Sequence, residues 1–182
     1  MAPQLHLLST EFAVLALAAS LLAAAALYDL GYRLIPDFLP GMLAGLAITA
    51  RLAEGWSSLG VALLVSLVVF ALLGFLALRG LIGGGDVKLG AAAALLVPVR
   101  SADDFVLATA LAGGVLALLY LLAGLVLRAR RRPSGRPASR LARIARTEAW
   151  RIRRGGPLPY GIAIAAGAVL SVVEPDQFST IL

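Results

Sequence analysis

The stretch IGGGDVKLGAAAALLVP (Ile82–Pro98) places three glycines, an aspartate and a lysine at the mouth of an apolar run. From Leu89 to Val99 that run has eleven residues, which as an α-helix cover only about 16 Å. The hydrocarbon core of a bilayer is about 30 Å thick. So short a helix crosses it only if Asp86 and the glycines lie below the membrane surface, or if the helix is tilted and shielded by protein. Irregular backbone at that depth is tolerated where it is buried in protein or lines a wet cavity. Gly83, Gly84 and Gly85 suit such a place, because glycine accepts φ > 0 and lets another chain approach closely.

The remainder of the chain puts this stretch in a membrane. Of 182 residues 60% are hydrophobic and 14% charged, with a mean hydropathy of +0.93. That composition reads as a polytopic membrane protein rather than a soluble domain. Apolar runs broken by charges and Gly/Pro predict six segments, at about 11–28, 38–53, 57–78, 87–99, 104–127 and 158–173. The expectation is an all-α membrane protein with about six transmembrane helices, forming one membrane-embedded domain over 1–182. The first segment is not a secretory signal, since no Lys or Arg precedes it and Arg33 follows it, the reverse of the usual order. Without a cysteine, neither a disulfide framework nor a cysteine zinc site can form. His6 is the only histidine, which excludes a Ser-His triad within the membrane.

Charge fixes the orientation. The net charge is +6, and eleven of the fifteen arginines lie between Arg128 and Arg154. If all six segments span, segments 1, 3 and 5 end on one side, and the arginine block joins segments 5 and 6 on that side. The positive-inside rule makes it the cytoplasm, with both termini outside. Arg33 and Arg79 agree; Arg51 and Arg100 fall opposite, each near an acid (Glu54; Asp103 and Asp104). The acidic VEPDQ near the C-terminus also lands outside. Within the basic loop at about 128–156, RRPSGRPAS reads as a linker. Residues 139–154 put Leu141, Ala145, Ala149 and Ile152 on one helical face, as in an interfacial helix drawn to anionic lipid headgroups. Nucleic acid is not expected as a partner, because no stacking aromatics are interleaved with the arginines in the usual pattern.

By the same parity Asp29 and Asp86, 57 residues apart, meet on the cytoplasmic side at similar depth. Ionisable groups within a membrane cost about 2.5–3.5 kcal/mol each on insertion scales and by default mark function. Two such carboxylates in a wet cavity suit amide hydrolysis: one, ionised, takes a proton from water, while the other, protonated, polarises the scissile carbonyl. A shared proton between close carboxylates is the aspartic-protease arrangement. Two other readings use the same residues. In a membrane phosphotransferase the aspartates would hold Mg²⁺ against a phosphate, with only Asp29, Asp37 and Asp86 as ligands. In a non-enzymatic carrier or scaffold they would relay protons.

Three motifs carry a resemblance. GGGDVK, with its lysine two places after the aspartate, fits the GxGD pattern of intramembrane aspartic proteases. YDLGYRLIPD is similar to a first-aspartate motif, and GPLPYGIAIAAGA to a Pro-Tyr-Gly motif. In this order, over about residues 12–173, they resemble the bacterial type IV prepilin peptidase family. The resemblance implies that Asp29 and Asp86 are the catalytic pair, with no cofactor or metal. Gly83, Gly84, Gly85, Lys88, Arg33, Pro36, Asp37, Pro159, Tyr160 and Gly161 would support the site. It further implies cleavage of the basic leader of a prepilin at the cytoplasmic face of the inner membrane, just before the substrate's apolar helix. Lys88 would orient Asp86, bind substrate or contact a headgroup; Pro159 and Tyr160 would shape the wall. Asp37 stands where the family usually has asparagine and is expected to cap segment 2. The larger members' cysteine-containing insert is missing, so the chain resembles the compact peptidase-only branch that serves tight-adherence (Flp) pili, with methyltransferase activity doubtful.

Overall fold

The computed structural model describes residues 2–129 and 139–173, with side chains described for 12–128, 139 and 141–172. All regular structure among the described residues is helical: α1 (Ala2–Tyr32), α2 (Phe38–Glu54), α3 (Trp56–Leu78), α4 (Gly84–Leu96), α5 (Ala102–Ala129), α6 (Arg140–Arg153) and α7 (Tyr160–Val173), with one 3-10 turn at Val99–Ser101. Each of the six apolar segments is a helix, and the amphipathic stretch is α6. Most of the linker and the acidic C-terminal stretch lie outside the described residues.

The helices differ in length as their apolar runs do. Three stretches, Phe12–Tyr32, Trp56–Leu78 and Val99–Arg128, are long and apolar enough to cross a membrane. By contrast α4 has 13 residues and α7 has 14, about 20 Å each. α4 lies at the centre, packed by α2, α3 and α7, while α7 is held between α1 and α5. Leu89, Ala93, Ala94, Leu95 and Leu96 of α4 are buried. The outer faces of α3 and α5 are the inverse of a soluble protein, exposing Leu64, Leu67, Val68, Leu121, Leu122 and Leu125. So large an apolar surface marks contact with a membrane or partner.

Small residues bring the inner helices together. A Cβ at Gly90 would stand 2.3 Å from Leu73 Cδ1, and one at Gly167 would stand 2.1 Å from Thr109 Oγ1. At Gly167 the Thr109 backbone N is also only 2.8 Å away, so glycine is required for α7 to meet α5, the small-residue packing of membrane helices; at Gly90 the near atom is a side-chain end that can turn away.

The far end of α4 is closed by Arg51, which is 5% exposed. Its Nε donates to Leu95 O at 3.3 Å, its Nη2 donates to Leu96 O, and its Nη1 is 2.8 Å from both Glu54 carboxylate oxygens. The arginine thus satisfies carbonyls that the end of α4 leaves without an intrahelical donor. Arg51→Met is expected to destabilise the protein by about 2–4 kcal/mol, because buried acceptors would lose their partners. Thermal unfolding in detergent measures this, and an unchanged midpoint would refute it.

Candidate active site

Asp29 lies in the last turn of α1 and Asp86 in the first turn of α4. The carboxylates are 5% and 7% exposed. The structure brings them close enough to interact electrostatically. Gly161 N–H, at the start of α7, donates to Asp29 Oδ2 at 2.9 Å. Asp86 Oδ2 accepts from Gly83 N–H at 3.0 Å, the acidic half of a capping box at the N-terminus of α4. Asp86 Oδ1 is buried and has no partner among the described residues.

Ile35 is the wedge that sets the spacing. A Cβ at Gly85 would meet Ile35 Cβ at 3.1 Å, and one at Gly161 would meet Ile35 Cδ1 at 3.3 Å and Asp29 Oδ2 at 3.0 Å. One buried side chain therefore packs against the glycines beside both aspartates. This refines the role expected of the glycine triplet. Gly83 has φ −83°, and none of the three takes the left-handed conformation; Gly80 does, with φ +72°. The triplet permits close approach and starts a helix directly, so the backbone is regular by the time it reaches Asp86.

Asp86 opens into an apolar cleft of about 420 Å³. α3 lines one side (Leu72, Leu76) and α5 the other (Val106, Gly113), with Tyr160 and Ile164 of α7 beside Asp86. Thr109 also lines it and has no hydrogen-bond partner for its hydroxyl among the described residues. A cleft of this kind has room for apolar side chains beside a carboxylate.

The remaining residues expected from sequence fall in different places. Pro159 is buried below 2% exposure and its carbonyl starts α7 by accepting from Ile162 N–H. Pro36 O likewise accepts from Leu39 N–H at the start of α2. Gly84 is the first residue of α4 and is exposed. Asp37 holds the N-cap position of α2 but makes no side-chain cap bond. Its carboxylate instead accepts from Lys88 Nζ at 2.7 Å. Lys88 therefore turns away from Asp86, because a solvated carboxylate offers it a cheaper partner than the buried site. Both side chains are at least half exposed, so Lys88→Met is expected to change stability by less than about 1 kcal/mol, as detergent-phase unfolding would report. With Asp37 so engaged, no group of three or more acids or histidines converges among the described residues.

A second polar cluster, missed by the sequence reading, adjoins the pair. Arg33 ends α1 with φ +56°, a left-handed conformation that costs a side-chain-bearing residue about 1–2 kcal/mol. Arg33 Nη2 donates to Glu148 Oε1 of α6 and, at 3.2 Å, to Tyr120 Oη of α5. Tyr120 Oη donates to the same Glu148 oxygen. Arg151 Nη1 bonds Glu148 Oε2 and Leu30 O, both at 3.1 Å, and its Nη2 reaches Gly31 O at 3.3 Å. A signal was present: Glu148 is the only acid between Arg128 and Arg154. α6 is thus a docked helix as well as an amphipathic one, held to the end of α1 by polar side chains and to α5 near Gly124 by Ile152.

Residues 16–118, more than half of the chain, match the family model of the type IV leader peptidase family. The chain belongs to that family. No curated protein and no solved structure matches it. As a type IV leader peptidase family member it is a membrane peptidase, and both aspartates lie within the matched residues. Gly161, Glu148 and Arg151 lie beyond them, so the bond to Asp29 and the brace on α1 come from parts of the chain outside the match.

Proposed function

We propose that this peptidase is of the aspartic GxGD type, with Asp29 and Asp86 as its catalytic carboxylates. The observation that carries the reading is the pair of buried aspartates, each delivered by a different helix, with Ile35 packed against the glycines beside both. One carboxylate takes a proton from water as the oxygen attacks the scissile carbonyl; the other gives its proton to the carbonyl oxygen. Collapse of the tetrahedral intermediate passes a proton to the leaving amine and restores the single shared proton. The unpartnered Asp86 Oδ1 is free to hold the water or the carbonyl. The substrate's apolar helix lies in the cleft between α3 and α5, which brings the bond before it to Asp86.

The substrate is a Flp-type prepilin, and the product is the pilin freed of its basic leader. The protein crosses the bacterial inner membrane six times, and the site faces the cytoplasm. In support, the arginine-bearing α6 packs at the same end of the bundle as both aspartates, the arrangement the positive-inside rule assigns to the cytoplasm. Basic residues of α6 meet anionic headgroups there. The test is cleavage of purified Flp-type precursors by the purified chain in detergent, with the new N-terminus read by mass spectrometry. Cleavage just before the apolar helix, unchanged by chelators, is expected. Cleavage elsewhere, no cleavage of any such precursor, or dependence on a divalent cation would overturn the reading.

A further inference from the structure

We propose that Glu148 is a positioning residue for the hydrolysis: through Arg33 and Arg151 it holds the last turn of α1, and with it the Asp29 carboxylate, against Gly161 and Asp86. The inference rests on the reading of the aspartate pair given above.

Glu148 gathers donors from three helices. Arg33 comes from the end of α1, Tyr120 from α5, and Arg151 from α6 itself. Two of these arms grip the turn that carries Asp29. One is the Arg33 side chain, whose backbone N–H bonds Asp29 O at 2.8 Å. The other is Arg151, bonded to the carbonyls of Leu30 and Gly31, the two residues after Asp29. Carbonyls at a helix C-terminus lack intrahelical donors, and a cation there meets the negative end of the helix dipole. Glu148 stands between the two guanidinium groups and fixes both.

Arg33 depends on this brace. Its Nε and Nη1 are buried without an acceptor, so Glu148 and Tyr120 supply its side-chain hydrogen bonds among the described residues. Its left-handed backbone persists only where the surroundings impose it. Without the Glu148 charge, two cations would face each other beside Asp29 with no anion between them, and the turn would relax. The buried Asp29 carboxylate is held at 2.9 Å from Gly161 N. A displacement of the turn therefore lengthens that bond and moves Asp29 relative to Asp86.

The test uses the purified full chain in detergent with a precursor bearing a short basic leader ahead of an apolar helix. Wild type and Asp86→Asn serve as references. Glu148→Gln keeps the shape and removes the charge; kcat is expected to fall about 10- to 100-fold, the scale of a misplaced catalytic group. KM should stay within about three-fold, because Glu148 is not among the residues lining the apolar cleft. Glu148→Asp, which restores the anion, should recover part of the lost kcat. Arg33→Gln combined with Glu148→Gln should be no slower than the slower single variant, since the two act as one unit. Arg143→Gln, exposed on the same helix, should behave as wild type.

Wild-type kcat in Glu148→Gln, multiplicative losses in the double variant, or an equal loss in Arg143→Gln would overturn the inference. Should Glu148→Gln fail to fold, Tyr120→Phe removes the hydroxyl that donates to Glu148 and accepts from Arg33 and is expected to lower kcat about three-fold, the scale of one hydrogen bond; no change would overturn it. An inactive Asp86→Asn beside a fully active Glu148→Gln refutes this inference and leaves the aspartate pair standing. Equal activity in wild type and Asp86→Asn refutes both.

Discussion

Asparagine at Asp86 is expected to leave a folded protein whose cleavage rate is lower by at least about 10³-fold, the scale on which general acid–base groups act. The side chain keeps its shape, and its carbonyl oxygen can still accept from Gly83 N–H, as Asp86 Oδ2 does at 3.0 Å. Oδ1 has no partner to lose among the described residues. What disappears is the ability to carry a proton between water and the scissile amide. Asp29→Asn should behave alike, because its oxygen can still take the Gly161 N–H. Cleavage of a precursor by each variant, set against its unfolding midpoint in detergent, decides the matter. Near-normal cleavage by either one would remove that aspartate from the chemistry.

Alanine at Gly161 is the second large effect, and it needs no change in charge. Its methyl group would lie 3.0 Å from Asp29 Oδ2, 3.1 Å from Asp29 Cβ and 3.3 Å from Ile35 Cδ1. These atoms belong to side chains that are themselves buried, so the strain is relieved by moving α7 or the Asp29 carboxylate. Either movement lengthens the bond to Gly161 N–H. A misplacement of this order costs up to about 10²-fold in kcat, and overpacking costs about 1–3 kcal/mol in stability. Kinetics and thermal unfolding on the same preparation separate the two, and an unchanged kcat would show that the amide is not part of the site.

The architecture was legible because lipid exposure leaves a plain record in apolar run length. Each predicted segment is a helix, and the brevity of the run after Asp86 reappears as the 13-residue α4. Parity placed Asp29 and Asp86 on one side, and the fold has them adjacent. Side-chain partners were not legible, since they depend on which helix lies beside which. Lys88 is two residues from Asp86 but, on a helix, points elsewhere, and it finds Asp37 across the loop. Ile35 looked like an ordinary apolar residue until two glycines were packed against it. Glu148 was hidden by the strong positive charge around it, although a single acid among so many arginines is itself a sign of a specific partner.

The short central helix has a consequence for how the protein meets its membrane. At about 20 Å, α4 is thinner than the bilayer core, whereas α3, with 23 residues, is about as long as the core is thick. A short helix exposed to lipid would force the bilayer to thin or the helix to be drawn inward, at a cost for each ångström of mismatch. Here the mismatch is internal to one chain: α4 meets protein on its sides, Arg51 closes one end and the Gly161 amide lies at the other. On the proposed topology the lipid sees a rim of ordinary height, and the depression belongs to the protein alone. On that topology water reaches the aspartates through a dent in the fold, and the surrounding bilayer keeps its full thickness as a seal.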